Sequence, residues 1–173
     1  MNREQHPVWA VYDRLRTARL NVKYYCERLR QVELLNRACE IILLIAAPTS
    51  AIAGLWFWKT DIGKAVWQSL GIVSAIIATV RPAFQLTKKI KDYEAAISGY
   101  QTLEYDLEII RQKIEQRGTY DDKLKAEFMK AVERHRNVEL ASPDKVPNRK
   151  LLQNCTNAVL AEMPANSFFV PET

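Results

Sequence analysis

The chain has 173 residues, with 25 Lys and Arg against 20 Asp and Glu, a net charge of +5. That length suits one domain, and so small and dispersed a charge argues against direct nucleic-acid binding. Cys26, Cys39 and Cys155 are odd in number, far apart and without a Cys-x-x-Cys pair, which argues against a disulfide framework or a zinc site.

In chain order, residues 1–7 are polar, and from Val8 a heptad begins. Val8, Leu15, Val22 and Leu29 fall seven apart, and Val11, Ala18, Tyr25 and Val32 take the second seam position. The residues between are mostly charged, among them Arg14, Arg16, Arg19, Lys23, Glu27, Arg28 and Arg30. This pattern predicts an amphipathic helix of coiled-coil grade whose stripe serves a partner helix rather than a cofactor. No helix breaker precedes Pro48, so the helix is expected to run on into the next stretch.

Residues 38–84 organise the chain. Two apolar segments, residues 38–58 and 65–84, flank a short polar break at residues 59–64. At 1.5 Å per residue the first segment reaches about 31 Å, the thickness of a bilayer's hydrocarbon core. A transmembrane helical hairpin is the expected structure, although two core helices of a soluble helical protein would be comparably apolar. Three features favour the membrane. Trp56, Phe57, Trp58 and Trp67 cluster around the break, where an aromatic interface belt would lie. Small residues recur at every fourth position, Ala46, Ser50 and Gly54 in the first segment and Gly71 and Ala75 in the second, a spacing that lets membrane helices pack closely. Pro48 sits mid-segment, which membrane helices tolerate better than soluble core helices do. A mean hydropathy of −0.23 averages over the charged flanks. Eight Lys or Arg precede residue 38 and four more lie at Arg81, Lys88, Lys89 and Lys91, so both termini are expected in the cytoplasm. The first apolar run begins only at residue 38, so no cleavable leader is expected.

After the hairpin a second long helix is predicted over residues 85–116. Leu86, Tyr93, Tyr100, Leu107 and Ile114 fall seven apart. Ile90 and Ile97 take the second position, which then shifts by one to Leu103 and Ile110. Gly118 fits a C-terminal stop, while Gly99 inside the helix costs about 1 kcal/mol against Ala unless a close contact requires it. Thr119 is the expected N-cap of a third helix, with Leu124, Phe128, Val132 (with Ala131) and Val138 as its stripe. A loop over residues 142–147 leads to Asn148, which can cap a last helix at Arg149–Glu162 with Leu151, Leu152, Cys155, Val159 and Leu160 apolar. The apolar tail at Phe168, Phe169 and Val170 is expected to pack on the stem or on another chain. The organisation expected is thus all-α. A cytoplasmic helix (1–37) leads into a membrane hairpin (38–84), then a cytoplasmic stem helix (85–117) and a C-terminal helical region (118–173).

No metal, cofactor or catalytic motif stands out, and no enzymatic activity is expected. Neither His6 nor His135 has a His or Cys neighbour at i±4, and there is no Gly-rich phosphate loop. The Arg-x(4–6)-His spacing of helical ribonucleases fails, because residues 128–130 are Phe, Met and Lys. Arg134, His135 and Arg136 read as a solvated helix face. The candidate functional residues are instead those of the hairpin. Glu40 and Arg81, at its cytoplasmic edge, serve as an interfacial ion pair or as pore lining, and Gln68, Ser69, Ser74 and Thr79 form a polar stripe on the second helix. The stem seam of Leu15, Val22, Leu29, Tyr93, Tyr100 and Leu107 would pair within the chain or between copies.

Three stretches carry a resemblance. They are the second apolar segment running into ValArgProAlaPheGlnLeuThrLysLysIle, the spaced tyrosines Tyr93, Tyr100 and Tyr105, and the late LysLeuLeuGlnAsnCys. Over about residues 8–162 the chain resembles the SLATT family of two-transmembrane effectors of bacterial nucleotide-signalling and antiphage systems. The resemblance implies a homo-oligomer in the bacterial inner membrane, in contact with lipid, that permeabilises the membrane when a partner is triggered. With no sensor domain expected in the chain, the trigger would be a separate sensor or signalling protein, or its nucleotide product. Other readings are a passive membrane anchor for a cytoplasmic defence enzyme and a soluble helical accessory protein.

Overall fold

A computed structural model describes residues 6–46 and 60–171, with the side chains of Ala46, Val80, Arg81 and Ala83 excepted. The protein is all-α, with five helices and no strand among the described residues: α1 (Trp9–Ala46), α2 (Asp61–Phe84), α3 (Leu86–Arg117), α4 (Asp122–Leu140) and α5 (Arg149–Glu162), followed by a 3-10 turn at Ala165–Ser167. Contacts divide the chain into two units. One joins Met1–Arg28 to Asp92–Thr173, and the other is Leu29–Lys91.

The first unit is a bundle of four helical segments. Its core is built from Val8 just before α1, Val11, Leu15, Ala18 and Tyr25 on α1, and Tyr93, Ala96, Tyr100, Leu103, Leu107, Ile110 and Ile114 on α3. Along these two helices, contacts run in opposite senses. Tyr25 stacks on Tyr100 at 5.7 Å and Arg19 pairs with Glu104, so α1 and α3 are antiparallel. On α4, Lys113 pairs with Glu127 and Arg134 with Asp106, which makes α3 and α4 antiparallel too. α5 returns along α1, with Lys23 bonded to Glu162 at 2.7 Å and Arg16 donating to the Met163 carbonyl at 2.6 Å. The seam residues Leu15, Tyr93, Tyr100 and Leu107 are therefore buried inside one chain, while Val22 and Leu29 are half-buried.

Two features of this core differ from the sequence expectation. The seam of α3 does not shift. Ala96, not Ile97, takes the second position, and spacings of three and four continue without a break from Tyr93 to Ile114. A small residue at 96 leaves room for the Tyr25 ring, which lies 6.0 Å from Tyr93 and 5.7 Å from Tyr100. Secondly, α4 buries Leu124 and Ala131 as the stripe predicts but also His135, whereas Phe128, Val132 and Val138 are half-buried. His135 is only 2% exposed and is not part of a solvated face.

The helix ends follow from local chemistry. Gly118 adopts φ +65°, the left-handed conformation that ends α3. The N-cap of α4 is Asp121, two residues later than the expected Thr119. Its carboxylate accepts from the Leu124 N–H at 2.8 Å, satisfying one of the unpaired donors of the first turn. Asn148 caps α5 by accepting from the Leu151 N–H at 3.1 Å. The tail folds back within this unit: Phe168 is buried, stacks on Tyr12 at 4.3 Å, and lies under the Arg16 guanidinium.

The second unit holds the last part of α1, all of α2 and the start of α3. Thr60 caps α2 by accepting from the Gly63 N–H at 3.0 Å, so Asp61, Ile62, Gly63 and Lys64 are already helical rather than part of a loop. Gln85 separates α2 from α3 with φ +46°, a left-handed conformation rare for a residue with a Cβ, three residues after Pro82. Residues 47–59, which include most of the first apolar segment and its Trp56, Phe57 and Trp58, lie outside the described residues.

Gly99 has its reason in the bundle. A Cβ there would lie 3.1 Å from both methyl groups of Val138, so α3 and α4 approach closely at this point. Gly99→Leu is expected to destabilise the bundle by about 1–3 kcal/mol through overpacking, and Val138→Ala to recover part of that loss. Chemical denaturation of the single and double variants measures both.

Candidate functional site

Two places in the chain carry functional potential, the polar network at one end of the bundle and the apolar helix α2. The network is built on Asp144, in the loop between α4 and α5. Tyr24 donates to its Oδ2 at 2.8 Å, Arg28 Nε to the same oxygen at 2.9 Å, and Tyr93 to Oδ1 at 2.7 Å. Arg28 also donates to the Tyr93 hydroxyl at 3.2 Å. The Tyr24 oxygen in turn accepts from the Asn148 N–H at 3.0 Å, which fastens the start of α5 to α1. Adjacent tyrosines divide the work on α1: Tyr24 reaches the loop while Tyr25 enters the seam.

The electrostatics follow the geometry. Burial pushes the Asp144 carboxyl up, but hydrogen bonds from Tyr93, Tyr24 and Arg28 outweigh it and hold the group below the usual aspartate value. Tyr93 is pushed up to about 12 by burial, reinforced by the Asp144 carboxylate that its hydroxyl serves. Asp144 thus stays ionised and tied to three donors at neutral pH. Sequence reading placed it in a plain loop, and the one available signal was a second buried-type aromatic, Tyr24, standing outside the heptad beside Tyr25.

A cleft of about 450 Å³ opens beside this network, lined by α1 (Arg14, Asn21), α3 (Tyr100), α4 (His135) and the loop (Lys145). Arg14 donates to His135 Nδ1 at 2.8 Å, and Tyr100 meets the His135 ring edge-on. An arginine has no acceptor, so Nδ1 carries the lone pair and the imidazole proton sits on Nε2. Burial first, and then the Arg14 charge, lower the His135 pKa from its ordinary 6.5.

The helix α2 is different in kind. Asp61–Thr79 is long and apolar enough to cross a membrane by length and composition, with mean hydropathy 1.3 and 6% of it buried, and among the described residues it alone passes that test. Ile62, Val66, Ile72, Val73 and Ile76 are all exposed. Its hydroxyls bond to its own backbone: Ser69 donates to the Ala65 carbonyl at 2.9 Å, Ser74 to Leu70 at 2.6 Å and Thr79 to Ala75 at 2.8 Å. Gln68, Gly71 and Ala75 are exposed, and a Cβ at Gly71 would meet nothing within 4 Å among the described residues. Glu40 on α1 is exposed and accepts from Asn36 at 3.0 Å. The Arg81 side chain, the Ala46 side chain, Ser50 and Gly54 lie outside the described residues, so the structure places neither the Glu40–Arg81 pair nor the small-residue stripe of the first segment.

No protein-family model, curated protein or solved structure matches this chain.

Two outcomes follow from the network. Asp144→Ala strands the buried Tyr24 and Tyr93 hydroxyls and the Arg28 charge, and is expected to cost about 2–3 kcal/mol in denaturation measurements, against about 1 kcal/mol for Tyr24→Phe. His135 is held neutral in the folded state with a lowered pKa, so the unfolded chain takes up the proton first. Its contribution to stability is complete above the ordinary histidine value of 6.5 and is lost as pH falls below it toward the lowered folded value. Melting temperatures between about pH 7 and 5.5 are expected to fall in the wild type and to flatten in His135→Asn.

Proposed function

We propose that the chain is an oligomeric effector of the bacterial inner membrane. In this reading both termini are cytoplasmic, and the protein opens a pore or disrupts the bilayer when a separate sensor, or that sensor's nucleotide product, engages it. The observation that carries the membrane reading is α2, whose apolar side chains stand exposed over the 19-residue stretch Asp61–Thr79. Water charges roughly 25 cal/mol for each Å² of such surface, and lipid removes that cost. The lysines and arginines that flank the apolar stretch favour cytoplasmic termini, and the resemblance to SLATT proteins supports the effector role. The bundle offers a cytoplasmic surface for the partner, and Glu40, Arg81, Gln68 and Ser74 are the polar groups nearest to a conduction path.

A second reading, a passive anchor that recruits a cytoplasmic defence enzyme, is favoured by one observation. Ser69, Ser74 and Thr79 each spend their hydroxyl proton on their own helix, which hides polarity from lipid and needs no water-filled path.

Topology is tested with a cysteine at Thr60 in a chain stripped of its native cysteines. Labelling by an impermeant thiol reagent from outside intact spheroplasts is expected; labelling only after lysis would overturn the topology. Effector and anchor separate on dye influx at matched membrane expression. If Glu40 and Arg81 form a pair at the membrane edge, Glu40→Gln and Arg81→Gln are each expected to change permeabilisation, and the double variant to recover part of the wild-type behaviour. Dye influx absent under every trigger condition would favour the anchor. Gly71→Leu separates assembly from folding. No described residue lies within 4 Å of a Cβ at Gly71, so a loss of oligomer mass in a variant that stays folded is the outcome expected if this face meets another copy.

A further inference from the structure

We propose that the cleft beside His135 is a binding site for a small organic phosphate, held by Arg14, the Nε2–H of His135 and Lys145. The inference begins with charge. In the bundle, Arg16, Arg19, Arg28, Arg111, Arg117 and Arg134 each pair with a carboxylate. Arg14 makes no ion pair among the described residues although it is half-buried, whereas the likewise unpaired Arg136 and Arg149 are exposed; the partner of Arg14 is the neutral ring of His135. A cation withdrawn from water without a counter-charge is costly, and an anion in the cleft supplies that counter-charge.

The remaining donors converge on the same space. His135 accepts at Nδ1, so Nε2 carries a proton to give. Every buried side-chain nitrogen and oxygen among the described residues has a partner, and Nε2 has none among them. Nε2 therefore reaches solvent, and His135 lines the cleft. Lys145 stands exposed at the rim and Asn21 lines the wall of α1. Of the two acids that line the cleft, Asp144 is neutralised by Arg28 and two tyrosine hydroxyls. Glu139 is exposed and forms no ion pair with Arg14 or Lys145 among the described residues.

Size and shape select the class. About 450 Å³ is in the range of small-molecule sites and exceeds the needs of a bare inorganic ion. A fork-shaped guanidinium beside a lysine and a neutral N–H donor matches the several oxygens of a phosphomonoester better than the two of a carboxylate. A ligand so placed would touch α1, α3, α4 and the loop that Asp144 fastens, the elements on which the bundle's end is built. The inference does not depend on the membrane reading.

Two histidines in the chain make the test direct. The full chain in detergent, labelled with nitrogen-15 histidine, is titrated with phenyl phosphate, benzoate and inorganic phosphate. Phenyl phosphate is expected to shift the His135 signals and leave His6 unmoved, and to bind at least tenfold more tightly than either benzoate or inorganic phosphate. Arg14→Gln is expected to weaken binding at least tenfold, and Lys145→Gln, at an exposed position that leaves folding intact, severalfold. Equal binding of benzoate would overturn the phosphate assignment. Unmoved His135 signals at millimolar phenyl phosphate, or unchanged affinity in Lys145→Gln and a folded Arg14→Gln, would overturn the site. Neither result bears on Thr60 labelling or dye influx.

Discussion

One carboxylate holds the end of the bundle together. Asp144 receives hydrogen bonds from Tyr24 and Arg28 of α1 and from Tyr93 of α3, and it belongs to the loop that joins α4 to α5. Four helical segments are thus tied at one residue, close to the points at which α1 leaves this unit after Arg28 and α3 re-enters it at Asp92. Such a node is stabilising only when complete. Each donor is partly withdrawn from water, so the loss of the acceptor exposes several unsatisfied groups at once rather than a single weak bond.

The seam below the node packs by a different rule. Tyr25 packs on both Tyr93 and Tyr100, Ala96 is buried between them along α3, and the aliphatic residues Leu103, Leu107, Ile110 and Ile114 continue the same stripe. Large rings need a small residue opposite, which is why the alanine sits where the heptad would otherwise admit isoleucine. Gly99 serves the neighbouring interface in the same way, by letting Val138 of α4 approach α3. The surface ion pairs that decorate the bundle, such as Lys125 with Asp122, are worth little by comparison, because solvent screens them.

In the other unit the balance is reversed. There the large apolar side chains of α2 are outside, as Ile62, Ile72 and Ile76 show, and the polar ones are satisfied locally by their own helix. The bundle hides its apolar surface by packing; among the described residues α2 has little of that packing. This contrast within one chain, rather than overall hydropathy, is the physical basis for proposing that α2 meets a membrane.

The all-α class, the approximate positions of the helices, the Gly118 stop and the Asn148 cap were legible from the sequence, because periodicity and capping chemistry act within a few residues along the chain. Leu15, Tyr93, Tyr100 and Leu107 could be assigned to a seam on spacing alone. What spacing does not contain is the partner across the seam, and so tertiary packing decided that these residues meet within one chain. It also decided that Ala96 replaces Ile97 in the core, that Gly99 answers to Val138, and that His135 is buried against Arg14 although both of its sequence neighbours are arginines. Asp144 is the extreme case. Its donors lie 51, 116 and 120 residues away along the chain, and no local pattern marks a carboxylate whose role is fixed entirely by distant hydroxyls and a guanidinium.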